Sequence, residues 1–423
     1  MRGIYMKRQK IIISLLLSVF ILALTAACGA RETGPADVAE PVESVAPVKL
    51  PEPSPAGEPL RLIVATDLHY ISPRITDFGS AFMTAMMRGD GKLSEQCEAI
   101  VDELIRVTLE ERPNALVLCG DLTYNGEQAS LEDLSSKLRA VQAAGIPVLL
   151  VPGNHDVGNL FAFSFDGESA YYADNVTPAE FMELCADFGF NGAIARDEGS
   201  FSYVYELAED CRLLFLDANT LDMQGGIREE TLNWAEEQLA EAQERGITVI
   251  SVTHQNMLRQ SSLLYKGYVI KNANSAAALL RQYGVSVNLS GHSHIQHSAV
   301  EEGLTDYCTG SLSVAPLMYA VVELDESRAF SYRQEHLSIL QEAAAARMEQ
   351  SGRSKVAAYV ESFGLDEETQ ELMTAFAVRL NMDYFAGTVD KEKLQRDPAF
   401  ELWERYGEDT FWLPYIESML NED

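Results

Sequence analysis

The sequence predicts an α/β fold with strands buried between helices, followed by a smaller helical domain. Three observations carry that prediction. From Leu60 onward, short β-branched or apolar runs alternate with helix-like stretches, the pattern of sheets covered by helices. Compact polar clusters stand where five of those runs stop. Beyond residue 333 the apolar spacing becomes that of helices.

Ahead of this fold, residues 1–27 open with Arg2, Lys7, Arg8 and Lys10, continue through an apolar run at 11–24, and end in Thr25-Ala26-Ala27 before Cys28. This is the three-part layout of a signal peptide. The apolar run is about 14 residues against the roughly 20 of a spanning helix, so cleavage is expected. The stretch Leu24-Thr25-Ala26-Ala27-Cys28-Gly29 resembles a bacterial lipobox, with Thr25 where Leu is more usual. That resemblance implies a lipid on Cys28 and a protein anchored to the outer face of the bacterial cell membrane. Residues 28–59 then read as an extended, solvated tether, because residues 30–59 hold seven of the 15 prolines.

The chain has 32 Lys and Arg against 64 Asp and Glu, a net charge of −32. Removing residues 1–27 leaves 28 basic groups against 64, or −36, so the expected anchor is the lipid and not charge. Binding to a nucleic-acid polymer is disfavoured by such a balance. If the substrate is an anion, bound divalent cations would supply the missing positive charge. The six cysteines include no C-x-x-C pair, which argues against a zinc ribbon or a disulfide scaffold. Cys119, inside an apolar run, reads as a core residue.

Each expected strand ends in chemistry. Residues 61–66 lead into Asp67-Leu68-His69, 115–119 into Gly120-Asp121, and 147–152 into Gly153-Asn154-His155-Asp156. Residues 247–253 lead into His254, and 285–290 into Gly291-His292-Ser293-His294. Carboxyl ends of strands form the binding crevice of open α/β sheets, so the five clusters are expected to converge. In Asp-x-His or His-x-His on extended backbone, alternate side chains point the same way. Glycines 120, 153 and 291 permit the tight turns. Imidazole, carboxylate and one amide oxygen suit Fe, Mn or Zn better than Mg or Ca. Asp121, alone after its strand, is the natural shared ligand for two four-coordinate ions. Two ions roughly 3.5–4 Å apart can hold a hydroxide and neutralise a phosphate group, which points to phosphate-ester hydrolysis. Five of the seven histidines fall in these clusters, and His297 and His336 do not.

Together these blocks, in order, resemble the calcineurin-like metallophosphoesterase superfamily over roughly residues 60–325, and within it are most similar to class III cyclic-nucleotide phosphodiesterases. The resemblance implies a four-layer αββα sandwich. It also implies one ion on Asp67, His69, Asp121 and His294 and a second on Asp121, Asn154, His254 and His292. His155 resembles the family's non-ligand active-site histidine, which steadies substrate and assists the leaving oxygen, with Asp156 orienting it. Tyr70, Asn125, Gln255, Asn256 and His297 flank the ligands as candidate substrate contacts, or equally as loop structure. The expected reaction is hydrolysis of small phosphodiesters such as cyclic nucleotides. A phosphomonoesterase or 5′-nucleotidase would use the same ions, and a binding lipoprotein without catalysis is the remaining alternative.

The catalytic domain is expected over residues 60–333, closing with strands at 318–324 and 329–332, and a helical domain over 334–423. A helix at 366–380 is expected from Leu372, Met373, Phe376, Ala377 and Leu380 at helical spacing, with Asp366 as its N-cap. The aromatic residues beyond it are expected to form a packed core.

Overall fold

A computed structural model of the chain describes residues 51–421 apart from Arg88 and Asp90. The export segment, Cys28 and residues 29–50 of the expected tether lie outside the described residues. The rest of that tether is not free. Ser54 N–H donates to Leu207 O at 3.1 Å and Gly57 N–H to Asp210 Oδ2 at 3.1 Å, so residues 51–59 dock onto the sheets.

The strands in chain order are β1 (Leu60–Ala65), β2 (Ala115–Leu118), β3 (Val148–Leu150), β4 (Phe163–Asp166), β5 (Ser169–Tyr172), β6 (Ala195–Arg196), β7 (Tyr203–Ala208) and β8 (Cys211–Phe215). They continue as β9 (Asn219–Thr220), β10 (Met223–Gln224), β11 (Thr248–Val252), β12 (Val287–Ser290), β13 (His297–Glu301), β14 (Leu304–Cys308), β15 (Met318–Leu324) and β16 (Phe330–His336). One sheet has the order β16-β15-β1-β2-β3 and the other β13-β14-β12-β11-β8-β7-β6, while β4-β5 and β9-β10 are two-stranded. In the first, β1, β2 and β3 run parallel and β15 pairs antiparallel with β1. In the second, β8, β11, β12 and β14 run parallel, while β7 and β13 pair antiparallel with β8 and β14. Both sheets are therefore mixed.

Their packing follows from strand periodicity. Along β8, Leu213 and Phe215 share a core with Leu62, Val64 and Leu118 of the first sheet. Leu214, between them, faces a separate cluster with Ala235 and Leu239 of the helix Glu229–Glu244 and Ala276 and Leu280 of the helix Ala273–Gln282. The outer face of the first sheet is covered by the helices Cys97–Glu111 and Gln128–Ala143, whose Leu104, Leu131 and Leu138 are buried in the shared core. Helix, sheet, sheet and helix thus form four layers. Each such Leu or Phe contributes roughly 1.5–3 kcal/mol by leaving water.

After β16 the chain turns helical. Asp366 caps the helix Glu367–Phe385 by accepting from Thr369 N–H at 3.0 Å. Met373, Phe376 and Leu380 of that helix pack with Trp403, Trp412 and Ile416 in a further core that Ile295 and Cys308 of the sheet domain also enter. The buried Trp403 indole N–H finds the Met373 carbonyl at 3.0 Å, which removes the cost of an unpaired polar atom. The five described cysteines are all free and buried.

Candidate functional site

Both sheets contribute to one rim. Asp67 and His69 follow β1, Asp121 follows β2 and Asn154 follows β3, all of the first sheet; His254 follows β11, and His292 and His294 follow β12, of the second. Because the parallel strands end at the same side of the packed pair, residues far apart in sequence meet. The turns are forced. Of the eleven described non-glycine residues with positive φ, five are Asp67, His69, Asp121, His292 and His294, at φ 43 to 68°. A left-handed conformation costs roughly 1–2 kcal/mol for each such residue. Strain of this kind concentrates where function fixes the geometry.

Two sets of donor atoms result. One atom each from Asp67, His69, Asp121 and His294 lie within 4.8 Å of one another, as do atoms of Asp121, His254 and His292. Asp121 belongs to both. Asn154 Oδ1 lies 3.1 Å from His254 Nε2 and so joins the second set. The sequence pattern led us to expect these seven side chains together, and the structure brings all seven to one place.

The hydrogen bonds around the cluster fit metal ions. A carbonyl oxygen only accepts, so His254 must donate Nδ1–H to Cys119 O at 2.7 Å, and His292 must donate Nε2–H to Gly267 O at 2.8 Å. Their other nitrogens then present lone pairs, 3.2 Å apart. His69 Nε2 and His294 Nε2 are likewise 3.2 Å apart. Asp67 Oδ1 and His69 Nδ1 are buried with no hydrogen-bond partner. Lone pairs facing each other in the second set, and a buried Asp67 oxygen whose nearest partner is His294 Nε2 at 3.3 Å, fit a cation between them. An Asp/His cluster suited to two metal ions is what the chain presents.

Charges in the cluster are coupled in the same sense. Burial works against ionisation of Asp121, but His254 and His155 outweigh it and hold the carboxyl well below its usual range. Burial opposes the charged form of His254 as well, and Asp121 more than compensates, raising that imidazole to about 9. Without metal, a proton on His254 Nε2 takes the place beside Asp121 that a cation would take, and the two carboxylates still leave the cluster negative.

His155 lies at the edge of the cluster, with Nε2 3.8 Å from Asp121 Oδ2. Its ring is steered by the Tyr124 carbonyl and Asn125 Oδ1, at 2.9 and 2.8 Å from Nδ1. The expected partner, Asp156, is elsewhere. Its carboxylate accepts from Leu122, Thr123 and Gly153 N–H and from the Thr123 hydroxyl. It pins the loops after β2 and β3 together and does not orient His155; Asn125 takes that part.

The expected substrate contacts divide. Asn125 supports His155. Tyr70 is fully buried with its hydroxyl unpartnered, pointing into protein. Gln255 is buried in a reciprocal amide pair with Asn219, at 2.6 and 3.0 Å. Asn256, also buried, donates to Ser290 Oγ and Gly291 O and braces the turn that carries His292. His297 sits on β13 against Gln260 Oε1 at 3.0 Å. Gln255, Asn256 and His297 are therefore framework side chains and not substrate contacts. Sequence reasoning missed the carbonyls of Cys119, Tyr124 and Gly267, which no side-chain pattern can reveal. It also missed Tyr268, whose ring tilts against His292 at 5.6 Å.

Comparison with known proteins identifies a family. Residues 60–296 match the family described as calcineurin-like phosphoesterase, and residues 331–423 match the C-terminal domain of cyclic nucleotide phosphodiesterase. The chain is 26% identical over 188 residues to the glycerophosphodiester phosphodiesterase GpdQ of Enterobacter lignolyticus, covering 44% of this chain and 58% of that one. It is 24% identical over 188 residues to a probable cyclic nucleotide phosphodiesterase of Moraxella catarrhalis, covering 44% and 60%. The chain thus spans about three fifths of the length of those curated relatives. A solved dimetal phosphatase from Danio rerio covers 66% of this chain and 99% of its own, at 14% identity and a TM-score of 0.47.

Proposed function

Because the chain belongs to the calcineurin-like phosphoesterase family, we propose that it hydrolyses small phosphodiesters, such as cyclic nucleotides, at a binuclear metal centre. One observation carries the reading: Asp121 is common to two converging sets of donor atoms. The match of residues 331–423 to a cyclic nucleotide phosphodiesterase domain, and the names of the relatives, favour a diester over a monoester.

Asp67, His69, Asp121 and His294 would hold one ion, and Asp121, Asn154, His254 and His292 the other, with Fe, Mn or Zn suited to the donors. Bound ions would activate water and neutralise the phosphate group. The protein's own part is to hold the donors rigid through the Cys119 and Gly267 carbonyls and to aim His155. With Nδ1–H committed to Tyr124 and Asn125, His155 presents Nε2 to the cluster, where the protonated ring can hand its proton to the departing oxygen.

Parallel assays of Mn- or Fe-loaded protein on a bis-aryl phosphodiester and an aryl monophosphate test the reading. Faster turnover of the diester is expected, and faster turnover of the monoester would overturn the choice of substrate. Fewer than about one ion per chain after loading would sink the binuclear reading. The proposal extends to an exported protein anchored through Cys28. Cys28→Ala is then expected to leave the membrane fraction, and its retention there would refute the anchor.

A further inference from the structure

We propose that Leu263 and Leu264 are positioning residues for the second metal ion: they key the loop after β11 into the C-terminal helices, and that loop sets the ring of His292. The inference rests on the binuclear centre proposed above and gives the helical region a part in it.

The loop runs from Gln255 to Ile270 and closes on itself at its base. Asn256 N–H donates to Tyr268 O and Ile270 N–H to Asn256 O, both at 3.1 Å. Its outgoing limb is tied to β14, where the Asp306 carboxylate accepts from Leu258 N–H at 2.9 Å and from the Gln260 amide at 3.0 Å. Its returning limb turns at Gly267, φ +90°, with Tyr265 O accepting from Tyr268 and Val269 N–H at 3.2 and 3.0 Å. The Arg259 guanidinium lies over the Tyr265 ring, 4.1 Å from its centre, and braces one limb on the other.

The turn at Gly267 is what His292 meets. Its carbonyl accepts from His292 Nε2–H at 2.8 Å, and the Tyr268 ring stands 5.6 Å from the imidazole. A partner on the nitrogen away from the metal fixes both the tautomer and the angle of a ligating imidazole. His254, the other histidine of that ion, is held differently: its Nδ1–H is bonded to Cys119 O in the sheet domain. His292 takes its aim from a loop.

That loop is fixed at its tip by the helices. Ser261 Oγ accepts from Leu263 and Leu264 N–H at 3.3 and 3.0 Å, which makes a tight turn there. Both leucines pack against the helical core of Met373, Phe376, Trp412 and Ile416. Ser262 and Leu263 line one groove with Pro414, Glu417 and Ser418 of the helix Trp412–Asn421. The same helical region grips the far side of the ligand-bearing turn. Gln296 N–H donates to Phe385 O at 2.9 Å, and a Cβ on Gly387 would lie 2.6 Å from Gln296 O. The turn that carries His292 and the loop that aims it thus share one frame.

The purified full chain, Leu263→Ser/Leu264→Ser, Leu263→Met/Leu264→Met, the milder Leu263→Ala and Phe400→Ser would be compared for Mn affinity by calorimetry, bound metal by elemental analysis and melting temperature without metal. Phe400 packs on Phe376 in the same core, so Phe400→Ser measures injury to the helices. The double serine variant is expected to weaken the second ion about ten- to hundredfold, the usual effect of losing a partner of a metal-bound histidine, and to keep the first. It and Phe400→Ser should both melt lower, but only the loop variant should lose the ion. The methionine pair should restore wild-type affinity. Leu263→Ala should show part of the loss, and it decides the matter if the double serine variant does not fold. Wild-type affinity for both ions in the double serine and alanine variants would overturn the proposal, as would an equal loss in Phe400→Ser. A wild type that binds one ion would refute the binuclear reading and this inference with it, whereas one that binds two and turns over no ester would refute the phosphodiesterase reading alone.

Discussion

Asn125 and His155 are joined by a hydrogen bond of 2.8 Å between Asn125 Oδ1 and His155 Nδ1. The two residues sit on different loops, after β2 and β3, and the bond fixes both the tautomer and the angle of the imidazole. The Tyr124 carbonyl shares the same N–H at 2.9 Å. Nε2 is thereby left to face the metal cluster.

Two variants separate aiming from chemistry. His155→Ala is expected to lower kcat by about 10²–10⁴, the usual worth of general acid catalysis. Asn125→Leu, which leaves the Tyr124 carbonyl to hold the ring alone, should lower kcat by a smaller factor of roughly ten. KM and metal content should be little changed in both. Full turnover by metal-replete His155→Ala would remove the histidine from the mechanism.

Removal of Asp121 is expected to cost both ions, and removal of His254 only one. Asp121→Ala should hold close to no metal after loading, while His254→Ala should keep the ion on Asp67, His69 and His294, as read by elemental analysis. Metal should also stabilise the wild type by about 2.7 kcal/mol at a free concentration a hundredfold above Kd. Urea unfolding with and without chelator measures this, and equal midpoints would contradict it.

The seven donor side chains were legible because each follows an apolar run, and a run of that kind in an α/β chain ends at the sheet's edge. What was not legible had a different physical origin. Gln255 and Asn256 adjoin His254 in sequence, but whether a buried amide turns toward substrate or framework depends on Asn219 and Ser290, which sequence distance hides. Asp156 was mistaken for His155's partner because adjacency along the chain says nothing of where a carboxylate points after a tight turn. Tyr268, whose ring tilts against His292, follows no strand at all.

Gly291 is needed for space and not for backbone freedom. A Cβ there would lie 1.9 Å from Thr66 Oγ1 and 2.7 Å from Asp67 Oδ2. The same Asp67 oxygen accepts from the Thr66 hydroxyl and from His292 N–H, at 2.8 and 2.9 Å. Gly291→Ala should therefore displace Asp67, lose one ion, and destabilise by about 1–3 kcal/mol through overpacking. Gly303, at φ +86° with nothing within 4 Å of where a Cβ would stand, is the control. Gly303→Ala should cost roughly 1 kcal/mol from its backbone alone and keep both ions. Equal metal loss in the two would argue against the steric account.

Glu127 is predicted to make stability fall as pH rises. It is fully buried, and Oε2 accepts from Asn125 N–H and the Ser130 hydroxyl while Oε1 has no partner. Burial raises the carboxyl from 4.5 to about 7, outweighing those hydrogen bonds. The folded state then keeps a proton that the unfolded chain releases. Its favourable contribution is complete below about pH 4.5 and is lost progressively up to about pH 7, by roughly 3 kcal/mol. Glu127→Gln, which cannot ionise, should lack that loss, so its stability relative to wild type should climb between pH 5 and 7 and level off above. Urea unfolding of both proteins across that range measures the difference, and parallel pH profiles would show that Glu127 is ionised in the folded protein at no such cost.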